Sequence, residues 1–132
     1  MPPASRELQL GRFWYALGAV LLISVAVVSL MPVQGDLAVN DKIGHLLTYL
    51  LLSGWFAMIS ASRRVLCLSV LALVGYGILI EFLQSLTGYR FAELGDVIAN
   101  SIGAALGALL YWSSLNRRLR RLETLLVGRL AG

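Results

Sequence analysis

Three groups of polar residues interrupt an otherwise apolar chain, and their types are those that move protons or hold anions. Asp41, His45 and Tyr49 recur at steps of four, with Lys42 beside them, so they share one face of a helix. Glu81 and Gln84 stand three apart near the end of a later apolar run. Arg90 and Glu93 follow in a short polar stretch, and then Asp96, Asn100, Gly103 and Gly107 fall on one helical face. A histidine beside carboxylates can act as acid or base, or bind a metal. His45 with two carboxylates is one arrangement that holds a metal ion, although the spacing names no cofactor. Lys42 and Arg90 suit a phosphate or carboxylate, Arg90 in bidentate fashion.

Each group also has a plainer explanation. Glu81 lies about 7–8 Å below the end of its run at 1.5 Å per residue. An ionised carboxylate there faces a bundle interior or a wet cavity; the alternatives are protonation, or pairing with Lys42, His45 or Arg90. His45 can equally be a donor to Glu81. The Tyr49 hydroxyl, two turns deep, needs a polar partner. Asp41 and Asp96 each precede an apolar run, where Asp caps free backbone N–H groups. Asn100 is a full turn inside its run, so an interhelical hydrogen bond explains it better. Arg90 has Glu93 close by as an ordinary partner. Gly103 and Gly107 form a GxxxG pattern that admits another helix closely, within the chain or in a second copy. Gly75 and Gly77 suggest similar packing.

Four apolar runs must position these groups: 13–30, 43–61, 65–86 and 97–115. All lie within the range of about 17–25 residues that cross a hydrocarbon core of about 30 Å as a helix. The first is too long for a signal-peptide core and has no clear cleavage site, so it reads as a retained helix. The chain has 132 residues, 58% of them hydrophobic and 14% charged. Soluble domains average about 45–50% and about 25%. The expected fold is all-α: a single membrane domain over 1–132 with four transmembrane helices. Disorder, a soluble disulfide scaffold and nucleic-acid binding are excluded. The lone Cys67, inside an apolar run, reads as a buried inert thiol.

Lys and Arg set the orientation. Arg6 and Arg12, Arg63 and Arg64, and Arg117, Arg118, Arg120, Arg121 and Arg129 fall on one side of a four-span chain. Lys42 and Arg90 fall on the other. Both termini are therefore expected in the cytoplasm, with the polar groups at the outer end. Trp14, Tyr15, Tyr111 and Trp112 then mark the inner interface, Tyr89 and Phe91 the outer one. In the tail 116–132, Leu119, Leu122 and Leu126 continue a face begun by Leu115. With arginines between them, they predict a basic amphipathic helix on the inner leaflet.

The ordered set Asp41-Lys42-x-x-His45-x-x-x-Tyr49, Glu81-x-x-Gln84, Arg90, Asp96-x-x-x-Asn100-x-x-Gly103-x-x-x-Gly107 resembles the VanZ-like family of small bacterial membrane proteins. The resemblance covers about Asp41 to Gly107. It implies a bacterial cytoplasmic-membrane protein of the cell envelope, the eponymous member being associated with teicoplanin resistance. It marks Asp41, Lys42, His45, Tyr49, Glu81, Gln84, Arg90, Asp96 and Asn100 as the residues that matter.

The leading expectation is recognition of an envelope amphiphile, a lipid-linked wall precursor or a lipoglycopeptide such as teicoplanin, in an outward-facing polar pocket. Asp41, Lys42, Tyr49, Gln84, Arg90 and Asn100 would hold it. The second is an intramembrane hydrolase or transferase acting on a lipid headgroup, with His45, Glu81 and Asp96 as catalytic groups. The third is a structural accessory subunit whose polar groups join helices. Membrane lipids, the amphiphile and a second copy across the Gly103/Gly107 face are the expected partners.

Overall fold

The computed structural model describes residues 7–32 and 38–130, those at 38–40 as backbone only. Arg6 and the last two tail positions lie outside the described residues. The elements are α1 (Gly11–Leu30), α2 (Ala38–Ile59), α3 (Arg63–Leu86), α4 (Leu94–Ala108), a 3-10 turn (Leu109–Trp112) and α5 (Leu115–Leu130). Four segments are long and apolar enough to cross a membrane: Gly11–Leu30, Asp41–Ile59, Arg63–Leu86 and Leu94–Trp112. The chain is an all-helical, multi-pass membrane protein. Each span begins two or three residues before its apolar run, because polar residues at these starts still join the first turn.

The α2–α4 pair is the spine of the bundle. A Cβ on Gly103 would collide with the Leu46 carbonyl, and one on Gly107 with the Leu50 carbonyl and the Gly54 amide. Only glycine lets two backbones approach so closely. Ser53 Oγ seals the contact by donating to the Ala104 carbonyl at 2.6 Å. The glycine face is therefore filled by α2 of the same chain. Gly77 of α3 lies close against the side chains of Tyr49 and Asn100, while Gly75 faces open space. Cys67 is exposed on α3, not buried.

Helix α1 is held to α3 by side chains that reach its carbonyls. Tyr76 Oη donates to Leu22 O at 2.6 Å, and Gln84 Nε2 to Ser29 O at 2.8 Å. Tyr89 Oη does the same at Leu30 O. The start of α3 is capped by Ser62, whose hydroxyl accepts from the Val65 amide.

The tail is a helix, as its periodicity predicts, and Asn116 and Glu123 tie it into the bundle. The 3-10 turn ends at Ser113, whose extended backbone redirects the chain. Ser113 Oγ then accepts from the Leu115 amide. On α5, Asn116 donates to the Met58 carbonyl at 2.8 Å. Glu123, 1% exposed, accepts from the Gln9 and Leu10 amides, both at 3.0 Å, and from Trp14 Nε1 at 2.6 Å. A carboxylate here satisfies free N–H groups at the start of α1 and suits its dipole. Trp14 is thus part of a clasp between the two ends of the chain, beyond its expected place in an interfacial belt. Of the expected apolar face, Leu119 is buried, while Leu122 and Leu126 stay exposed beside Leu125.

Glu123→Ala is expected to destabilise the protein by about 1–3 kcal/mol, because three donors at the start of α1 lose the buried carboxylate that accepts from them. Hydrogen exchange at residues 9 and 10 should quicken in detergent, and unchanged protection there would refute the clasp.

Candidate functional site

The polar residues converge at one end of the bundle, opposite the clasp. Helix α2 supplies Asp41, Lys42, His45 and Tyr49, α3 supplies Glu81 and Gln84, and α4 supplies Asp96 and Asn100. Arg90 and Glu93 come from the segment between α3 and α4. The glycine contacts lock α2 against α4, so residues more than fifty positions apart in sequence are set within bonding distance.

His45 is the centre. Its Nδ1 lies 3.0 Å from Asn100 Oδ1. A carbonyl oxygen only accepts, so Nδ1 is the donor in this contact and Nε2 is turned to the other side of the ring. Three carboxylates surround Nε2: Asp41 Oδ1 at 3.8 Å, Asp96 Oδ2 at 3.8 Å and Glu81 Oε1 at 3.9 Å. Each holds its other oxygen elsewhere. Asp41 Oδ2 accepts from Arg90 at 2.8 Å, Asp96 Oδ1 from Lys42 at 3.3 Å, and Glu81 Oε2 from the Glu93 amide at 3.2 Å. Lys42 also pairs with Glu93 at 2.5 Å. Glu81 is 3% exposed, and its Oε1 has no hydrogen-bond partner. The buried Tyr49 hydroxyl and Asn100 Nδ2 likewise have none. Asp41, His45 and Asp96 offer ligand atoms that all lie within 4.8 Å of one another, a set that can hold a metal ion.

Several plainer readings are corrected by this geometry. Asp41 and Asp96 lie inside the first turns of α2 and α4, and Asp96 is preceded by Glu93 at the cap position. Both turn their side chains to the cluster. Arg90 takes Asp41 as its partner, and Glu93 takes Lys42. Gln84 spends its amide donor on the Ser29 carbonyl, so it fastens α1 as well as lining the site. The clasp residues Asn116 and Glu123 escaped the sequence reading. Their signal is present: Asn116, Leu119 and Glu123 lie on one helical face, and Glu123 is a lone acid in an arginine-rich tail.

A cavity of about 170 Å³ adjoins the cluster and is lined by Ser29, Asp41, His45, Tyr49, Gln84 and Arg90. Its walls come from α1, α2, α3 and the Arg90 segment. Val25 and Thr48 are shared with an apolar groove of about 390 Å³ along α1 and α2, whose other walls are Leu21, Leu51, Leu52 and Trp55. The basin and this apolar track therefore adjoin at Val25 and Thr48.

No solved structure matches the chain. An uncharacterised protein of Schizosaccharomyces pombe is 33% identical over 111 residues, which cover 82% of this chain and 68% of that protein. The profile of the VanZ/LLP1 family matches residues 5–117 and so takes in all four spans and every residue of the cluster. On that match the chain belongs to the VanZ/LLP1 family.

Proposed function

We infer that the chain is a membrane-embedded hydrolase that binds a lipid with a phosphate-bearing head and cleaves the head. The observation that carries this reading is the convergence of three carboxylate oxygens on the free face of His45, between Lys42 and Arg90. A passive anion binder needs only the two cations. Four carboxylates at the same end repel a phosphate, and their cost is justified when they act on a water molecule or a cation. By the positive-inside pattern the basin opens to the outer leaflet, and the apolar track receives the lipid tail. A relative in a yeast favours a lipid-linked phosphate, a class found widely, over a lipoglycopeptide drug or a precursor confined to bacterial walls.

In the reaction, the oxygen of a water molecule forms a new bond to phosphorus. Glu81 Oε1 takes up one of the water's protons. The bridging phosphorus–oxygen bond breaks on the opposite side, and the departing oxygen keeps the electron pair. Arg90 and Lys42 neutralise the charge that spreads over the phosphoryl oxygens.

Incubation of the detergent-purified protein with a polyprenyl diphosphate tests this. Wild type should release phosphate, and His45→Ala should slow the release by at least about 100-fold, because the three carboxylates converge on its ring and misplacement of reacting groups costs about 100-fold. Arg90→Ala should lower kcat as well as raise KM, because Arg90 meets both the bound head and the charge that develops on it. Retention of intact lipid without product would replace hydrolysis by recognition alone.

A further inference from the structure

We propose that Asp41 Oδ1, His45 Nε2 and Asp96 Oδ2 hold a divalent transition-metal ion, with Glu81 beside it as the base. Four features of the site lead there. The three ligand atoms lie within 4.8 Å of one another, and His45 Nε2 stands 3.8 Å from each of the two aspartates. That is too long for hydrogen bonding. Ligand atoms about 2.0–2.1 Å from a zinc-sized ion sit about 3.4 Å apart in a tetrahedron, so the two His45–aspartate distances close with a contraction of a few tenths of an ångström, and the aspartate pair, within 4.8 Å, closes by turning its side chains inward.

The tautomer is the second feature. Asn100 Oδ1 takes the hydrogen of Nδ1, so in the neutral ring it is Nε2 whose lone pair faces the anionic oxygens. Metal-bound histidines are oriented in this way, by a partner on the other ring nitrogen. Arg90 and Lys42 do the same for the aspartates, since each binds the oxygen turned away from His45.

Third, Asp41, Glu81, Glu93 and Asp96 against Lys42 and Arg90 leave a formal charge of −2 in a membrane-embedded site, which one divalent ion neutralises. Fourth, the buried Glu81 Oε1 points into the cluster without a partner, 3.9 Å from Nε2. Its position is that of a base for a water molecule on the ion. One nitrogen and hard carboxylate oxygens suit Mn²⁺ or Zn²⁺. The ion would also bridge the carboxylates to the phosphate, removing the repulsion noted above. The inference deepens the hydrolase reading, but metal binding is measured without any lipid.

The test uses the full chain, stripped with chelator in detergent and titrated with Mn²⁺, with bound ion followed by electron paramagnetic resonance. Wild type should bind one Mn²⁺ per chain. Asp96→Asn and His45→Gln, with helicity intact by circular dichroism, should weaken binding at least tenfold. Asn100→Ala, which frees the ring, should weaken it by about 10–100-fold. Glu81→Gln should keep the stoichiometry. Absence of saturable Mn²⁺ and Zn²⁺ binding in wild type, or equal binding by folded Asp96→Asn and His45→Gln, would overturn the proposal. Saturable binding without turnover of any lipid would sink the hydrolase and leave the metal site standing. Turnover that survives complete chelation would do the reverse.

Discussion

Glu81→Gln is expected to lower phosphate release by at least about 100-fold without lowering the thermal stability of the metal-free protein. The carboxylate is buried in a membrane span, and one of its oxygens has no hydrogen-bond partner. Such a group costs stability where it stands. Gln retains a carbonyl oxygen that can accept from the Glu93 amide and removes the charge, so the metal-free melting temperature should hold or rise. What disappears is the capacity to take a proton from water. A stability–activity trade-off of this kind marks a functional group. If Glu81 served only to join helices, the same change would lower stability and leave turnover as it was. Melting by intrinsic fluorescence, run beside the phosphate assay on the same preparations, separates the two cases.

Gly103→Val is expected to have the largest effect on the fold. The new Cβ would meet the Leu46 carbonyl and the Leu50 amide, both backbone atoms that cannot rotate away. Helices α2 and α4 must then separate. Overpacking of a core costs about 1–3 kcal/mol, and more where backbone must move. Separation also pulls His45 from Asn100 and Asp96, which sit one to two turns from the glycine. The variant should therefore lose most of its folded monomer on size exclusion and all measurable metal binding. Gly75→Val, whose side chain enters open space, is the control and should melt within about 0.5 kcal/mol of wild type. Equal behaviour of the two variants would contradict the tight α2–α4 contact.

The spans and the members of the site were legible because both are written in local pattern. Apolar length marks a membrane helix whatever its neighbours are. Asp41, His45 and Tyr49 share a face by periodicity alone, and so do Asp96, Asn100 and Gly103. The GxxxG pattern announced a close approach, but it does not encode which helix approaches, and α2 proved to be the partner. Pairings were the illegible part. Arg90 stands three residues from Glu93 yet binds Asp41, because the turn before α4 carries it across to α2. Gln84 reads as a ligand-binding amide, and its bond to a backbone carbonyl of α1 leaves no trace in side-chain type. The Glu123 clasp joins residues over a hundred positions apart, and nothing periodic links them.

Action of the basin on a lipid head is the central claim about this protein. Native mass spectrometry of the purified protein after exposure to a bacterial lipid extract tests it most directly, with wild type beside folded Glu81→Gln. The account predicts that Glu81→Gln retains one class of phosphate-bearing lipid intact, while wild type holds or releases the same lipid shortened by its head. Retention of no particular lipid by either protein, or the same unshortened lipid in both, would contradict it.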